Sequence, residues 1–162
     1  MFFIVRPVLT NVSKRRFLMA DTVRIVFPTD FSKASEAGLH WVKRVAETLD
    51  ATVHCVTCIQ NPVIFQPSEG LVYPSMEDMR SDADKRLGTF VAENLSSLKQ
   101  PVTTAVLTGR ASDEIVTYAD DIEAEMIVMA TNGHSGLTHI LLGSTTENVL
   151  RHAKCPVLSI RA

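Results

Sequence analysis

From residue 22 onward, short β-branched runs alternate with longer stretches whose apolar residues recur at helical spacing. This alternation settles most of what the chain can fold into. Thr22–Pro28 (TVRIVFP) is short, apolar and β-branched, as a strand buried on both faces requires. Ser32 caps a helix whose apolar positions are Ala34, Ala37, Trp41, Val42, Val45 and Leu49. Asp50-Ala51 makes the turn, and Thr52–Ile59 (TVHCVTCI) is the second strand. Residues 60–75 hold three prolines and a glycine and read as a loop. Ser75 caps a long helix with Glu77 and Asp78 in its first turn, where the helix dipole favours carboxylates. Its stripe is Met79, Ala83, Leu87, Phe90, Val91, Leu95 and Leu98. Pro101–Leu107 is a third strand, Gly109 a turn, and Ser112 the cap of a short helix ending at Ile122. Glu125–Ala130 is a fourth strand, 131–142 a glycine-containing loop, and a helix runs from near Gly143 to near His152. Pro156–Ile160 is the fifth strand.

This order predicts one α/β domain over residues 21–162, with a parallel sheet, helices on both faces and right-handed crossovers. Ligands of such sheets sit beyond the carboxyl ends of the strands, where the strand order reverses. That rule points to Pro28–Ser32, Cys58–Asn61 and Ala130–Thr145.

Charge narrows the function. The chain has 16 basic and 18 acidic residues, a net charge of −2. The first twenty residues hold Arg6, Lys14, Arg15 and Arg16 and no acid, so the rest carries −6. An acidic body disfavours general nucleic-acid binding. No apolar run approaches the roughly 18 residues of a membrane span. Three cysteines make no disulfide scaffold, and a cytoplasmic location is expected. At the N-terminus the apolar residues precede the charges, the reverse of a secretory signal. The twin-arginine-like Ser13–Leu18 lacks the apolar segment that should follow it. Residues 1–20 are therefore expected to be a poorly ordered extension or not part of the native chain, with Met19-Ala20-Asp21 as an alternative start.

The segment with most chemistry is 130–145, ATNGHSGLTHILLGST. Two residues separate Ala130 from Gly133, and nine separate Gly133 from Gly143. Glycines let backbone approach a ligand closely. Gly143-Ser144-Thr145 opens a helix, where free N–H groups and a positive dipole end meet two hydroxyls. Phosphate or another anion fits. Neither the P-loop pattern nor the dinucleotide Gly-x-Gly-x-x-Gly occurs. No Lys or Arg lies between Ala130 and Leu150, so the loop suits holding a nucleotide better than cleaving one.

Over residues 22–162 the chain resembles the universal stress protein family. Val26–Ser32 (VFPTDFS) looks like its first strand and turn, and Gly109-Arg110-Ala111 with Ile115 like its third strand-to-helix turn. Gly143–Leu158 (GSTTENVLRHAKCPVL) resembles its last helix and strand. The family's ATP binders carry Gly-x-x-Gly, nine residues, then Gly-Ser/Thr. Here Ala130 replaces the first glycine, and an extended backbone at a strand end would accommodate its methyl. The resemblance implies a five-stranded parallel sheet of order 3-2-1-4-5, Rossmann-like and of the adenine nucleotide alpha-hydrolase type.

It also implies an ATP site. Pro28 and Asp30 would lie near ribose and adenine, and Cys58 would read the adenine edge through its backbone. Met129 and Ala130 would line the base and sugar. Gly133 and His134 would approach the phosphates, and Gly143, Ser144 and Thr145 would bind them. Mg²⁺ or Mn²⁺ would be held mainly by phosphate oxygens. A homodimer through Val157–Ile160 and a further protein partner are implied as well. The expected role is a nucleotide-dependent regulatory or stress-response protein with slow or no hydrolysis and no assigned catalytic residue. The alternatives are a nucleotide-free dimerisation module and a slow ATP-hydrolysing enzyme.

Other residues read more plainly. Cys55 and Cys58 form a C-x-x-C, but positions three apart on a strand face opposite sides of the sheet. His134, directly after Gly133, either touches phosphate or is merely solvated, whereas His139 faces solvent or the helix. His40, His54 and His152 lack metal-ligand spacing and read as structural. The apolar residues Val63, Ile64, Phe65 and Tyr73 sit in a crossover loop.

Overall fold

The β-branched runs become strands and the amphipathic stretches become helices. A computed structural model describes residues 4–5, 22–60, 75–131 and 143–161. In chain order the elements are β1 (Ile4–Val5), β2 (Arg24–Pro28), α1 (Lys33–Glu36), α2 (Leu39–Leu49), β3 (Thr52–Ile59) and α3 (Met76–Asn94). They continue with β4 (Val102–Thr108), α4 (Ala111–Asp121), β5 (Met126–Thr131), α5 (Ser144–His152) and β6 (Val157–Arg161).

Strands β2 to β6 pair in parallel in the order β4-β3-β2-β5-β6, the 3-2-1-4-5 arrangement that the family resemblance implied. Central β2 is buried on both faces. Ile25 and Phe27 join one core with Val53, Cys55, and Val42, Leu87 and Phe90 from α2 and α3. Val26 joins the other with Val56, Ile127, Met129, and Ile115 and Val149 from α4 and α5. Ile25, Val26 and Phe27 are fully buried, which explains the unbroken apolar run. Cys55 and Cys58 fall on opposite faces, as their spacing on a strand predicts.

Four details differ from the sequence reading. The helix after Ser32 breaks at Ala37–Gly38 into α1 and α2. A Cβ on Gly38 would lie 2.9 Å from Cε2 of Phe27, so the glycine lets backbone rest against that buried ring. Helix α4 is capped by Arg110, not Ser112. Ser112 is buried in the first turn, and its hydroxyl donates to Asp113 Oδ1 at 2.9 Å. The strand ends shift by a residue or two, as at β4 and β6. Finally, β1 adds an antiparallel pairing that the sequence reading did not include, with Ile4 opposite Leu158 and Val5 opposite Val157. Ser32 and Ser75 cap as expected, Ser75 through a full capping box with Asp78.

Candidate nucleotide-binding site

The parallel order places the ends of β2, β3 and β5 beside the start of α5, on either side of the point where the strand order reverses. The turn after β2 is built by short polar side chains. The Thr29 backbone N–H donates to Val56 O at 2.8 Å. The Ser35 hydroxyl donates to Ser32 O at 2.8 Å. Its single proton is thereby used, so the Thr29 hydroxyl is the donor in their 3.0 Å contact. Thr29 Oγ1 in turn accepts from the Phe31 N–H at 3.0 Å.

Phe31 adopts φ +63, a conformation costly for a bulky residue. Its ring is held edge-on to Phe90 at 5.7 Å, with the Arg86 guanidinium 4.5 Å from its centroid. This clamp from α3 fixes the turn and leaves the neighbouring Asp30 carboxylate exposed at the cavity. Burial alone would raise the Asp30 pKa. Hydrogen bonds, those from Ser32 foremost, outweigh that and hold it below the usual value of 3.8. One of them, Ser32 N–H to Asp30 Oδ1, is 3.0 Å long. Asp30 is therefore an anion and an acceptor at neutral pH.

Opposite stands the start of α5. Gly143 is its N-cap, with φ −58 and ψ 143 and no capping side chain. The N–H groups of the first turn have no intrahelical acceptor. Buried Thr146 ties this turn to β5 through a 3.4 Å hydrogen bond from its hydroxyl to Ala130 O. Ala130 lies within β5 and is not among the residues of positive φ, so its methyl replaces a glycine hydrogen without backbone strain.

A cavity of about 210 Å³ joins these parts. It brings together Pro28, Asp30, Cys58, Met129, Ala130, Gly143, Ser144 and Thr145. Gly133 and His134 lie outside the described residues, as do His139 and the apolar residues at 63–65 and 73. The sequence reading missed Thr29, Ser35, Val56, Thr57, Ile115 and Thr146, which also line the cavity. Thr57 carried a usable signal, a polar residue at the carboxyl end of a buried strand. Ser35 carried none, because its role depends on the Thr29 contact. Among the described residues, no Lys or Arg lines the cavity, and no three His, Cys, Asp or Glu cluster as a metal site.

Burial pushes the Cys58 thiol up to about 11, with the Glu114 carboxylate adding to the effect, and burial pushes Cys55 to about 12. Since the thiolate is the nucleophile, iodoacetamide should label Cys58 at neutral pH roughly a hundredfold slower than an ordinary thiol. Timed alkylation followed by peptide mass spectrometry measures this, and labelling at the free-thiol rate would contradict the raised Cys58 thiol.

His54 lies away from the cavity. Its Nδ1 is 3.0 Å from the Tyr118 hydroxyl. Burial, then the charge of Arg24, lowers its pKa below 6.5. The folded state thus favours neutral His54. This contribution is complete above pH 6.5 and is lost as pH falls through the depressed folded value. Urea unfolding at stepped pH should show stability declining as pH falls below 6.5 and levelling once the depressed folded value is passed, and His54→Gln should flatten the decline. An equally steep decline in the variant would assign it elsewhere.

The model of the universal stress protein family matches residues 22–161. The chain belongs to the universal stress protein family. A universal stress protein of Methanocaldococcus jannaschii is 34% identical over 143 residues, spanning 85% of this chain and 81% of that protein. A second universal stress protein of that organism is 29% identical over 153 residues. Its solved structure superposes with a TM-score of 0.68 at 28% identity, covering 86% of this chain and 96% of that one. An Archaeoglobus fulgidus universal stress protein, solved in complex with dAMP, has the same fold. It gives a TM-score of 0.63 at 21% identity, over 88% of this chain and 99% of that one. Strands β2 to β6 run parallel, and no helix among the described residues is long and apolar enough to cross a membrane.

Proposed function

We propose that this universal stress protein binds ATP in the cavity between Asp30 and α5, and acts as a nucleotide-dependent regulator in the cytoplasm, with slow or no hydrolysis. One observation carries the reading: an ionised acceptor, Asp30, and a helix N-terminus with two hydroxyls share one cavity. A nucleotide needs both, since its ribose donates hydroxyl protons and its phosphates accept N–H and O–H donors. Asp30 takes the ribose. The backbone at Cys58 reads the adenine edge, and Met129 and Ala130 line base and sugar. Ser144 and Thr145 hold phosphate, with Gly133 and His134 completing the site from the loop. Mg²⁺ or Mn²⁺ is carried by phosphate oxygens. The dAMP complex of the Archaeoglobus fulgidus relative supports an adenine nucleotide in this fold.

A nucleotide-bound and a nucleotide-free form would differ in affinity for a partner only as far as the ligand distinguishes them. That partner is a second copy through Val157–Ile160, or another protein. The nucleotide-free reading draws on Ala130 alone, and the extended backbone there weakens it. Steady ATP turnover would instead favour the enzyme reading.

Denaturing freshly purified protein and analysing the supernatant by chromatography and mass spectrometry tests the proposal. Near-stoichiometric ATP supports it, and mostly ADP or AMP supports turnover. Asp30→Ala should weaken ATP binding tenfold or more, since a hydrogen bond to a charged group contributes about 1.5–3 kcal/mol. Undiminished affinity in that variant would remove Asp30 from the site.

A further inference from the structure

The turn after β2 serves two places at once. Asp30 lines the cavity, whereas the next residue, Phe31, lines an open groove of about 400 Å³ between α1 and α3. Among the described residues, the groove and the cavity have no lining residue in common. Phe31 keeps φ +63, which persists in a bulky residue only where the surroundings over-determine it. Its N–H donates to Thr29 Oγ1 at 3.0 Å, a bond within the turn itself. Its ring lies 5.7 Å edge-on from Phe90, which is buried and stacks on core Phe27 at 6.4 Å. The Arg86 guanidinium lies 4.5 Å from the ring centroid. Arg86 and Phe90 are one turn apart on α3, so one face of that helix grips the ring. Arg86 is exposed and lines the groove but not the cavity. The peptide groups on either side of Phe31 also carry the hydrogen bonds that orient the site. The Ser32 N–H, on the far side, donates to Asp30 Oδ1 at 3.0 Å.

We propose that Arg86 is a positioning residue for the nucleotide cavity. By holding the Phe31 ring it keeps Asp30 aimed at the ribose, and so sets how strongly the site prefers a nucleotide with ribose hydroxyls to one without. This rests on the ATP reading above and adds to it a residue that does not touch the ligand. Once the ring is released, Phe31 relaxes toward negative φ. That rotation swings both flanking peptide groups and takes the Asp30 carboxylate with them. The contacts at Cys58 and Ser144 belong to β3 and α5 and stay in place. The loss therefore falls on the ribose contact alone. A guanidinium also attracts phosphates over a distance, but that attraction acts equally on any triphosphate.

The test titrates the full-length parent, Arg86→Gln, Arg86→Lys and Asp30→Ala with ATP and with its dideoxy analogue, which lacks both ribose hydroxyls. Glutamine keeps helix propensity and removes the charge, and Arg86 is exposed, so the fold should survive. Arg86→Gln should weaken ATP binding about threefold to fivefold, as expected for losing a cation–π contact at an exposed site. It should leave the affinity for the analogue unchanged. Arg86→Lys keeps a cation over the ring and should restore most of the loss. The double variant Asp30→Ala/Arg86→Gln should bind ATP no more weakly than Asp30→Ala alone. In nucleotide-free protein, the Phe31 and Ser32 amides should exchange hydrogen several-fold faster in Arg86→Gln than in the parent, with those of β3 unchanged. Equal losses for both nucleotides, undiminished ATP affinity, or equal exchange would each overturn the proposal. A parent that binds neither nucleotide overturns the ATP reading and the ribose preference with it. The exchange comparison then still decides whether Arg86 holds the turn.

Discussion

Replacing Gly143 by Asp should abolish measurable ATP binding while leaving the fold intact. The backbone at Gly143, φ −58 and ψ 143, is open to any L-residue. Aspartate is also a favoured N-cap, because its carboxylate accepts the first-turn N–H groups that glycine leaves free. The melting temperature should therefore hold or rise slightly. Binding should respond in the opposite sense. A carboxylate about 4 Å from a phosphate charge, at an effective dielectric near 20, costs about 4 kcal/mol. That corresponds to roughly three orders of magnitude in affinity. The opposed signs make the result diagnostic, because a general loss of structure would lower both quantities. An affinity within a few-fold of the parent would mean that phosphate does not sit at the start of α5. Calorimetric titration of parent and variant decides it.

Phe27→Ala should be the most damaging substitution for stability. Phe27 is fully buried in the central strand. It stacks on Phe90 with ring centroids 6.4 Å apart, and Gly38 lies directly against it. Nothing nearby can collapse to fill the space without moving α2 or α3. Truncating a buried Phe costs about 3–5 kcal/mol. At about 2–4 °C per kcal/mol for a domain of this size, the midpoint should fall by about 10 °C. Thermal and urea unfolding measure the loss, and a change below about 1 kcal/mol would contradict the packing. The same variant should weaken nucleotide binding, because Phe27 leads directly into the turn of Pro28, Thr29 and Asp30.

The elements most legible in the sequence were those whose cause is local. Ser75 with Asp78 three residues on is a capping box visible in one dimension, and it forms. The run Thr52–Ile59 follows a left-handed Asp50 and precedes a proline-rich stretch of sequence, and it is a strand over that span. Alternation gave the parallel sheet, and the resemblance to the family gave its strand order. What escaped depends on contacts between distant residues. The break at Gly38 exists because that backbone rests on Phe27, eleven positions earlier, and helical periodicity alone reads through it. The cap at Arg110 escaped because Ser112 offers the better capping side chain, yet its hydroxyl is spent on Asp113. β1 escaped because two residues carry no periodic signal.

The site divides in the same way. Asp30, Gly143, Ser144 and Thr145 could be read from their places at a strand end and a helix start. Their enclosure in one cavity with Thr29, Ser35 and Ile115 could not, since those side chains arrive from the turn, α1 and α4. Nor could the Phe31 clamp, in which Arg86 reaches from a helix more than fifty residues away to hold the turn beside Asp30.

The most direct test of the central claim locates the nucleotide rather than merely detecting it. Backbone amide resonances of nucleotide-stripped, isotope-labelled protein should be followed while ATP and Mg²⁺ are added. The amides of Asp30, Cys58, Ala130, Ser144 and Thr145 should shift together along one saturable curve, while those of the β4 edge stay fixed. Saturable shifts confined to another surface, or no shifts at all, would contradict the assignment of this cavity to ATP.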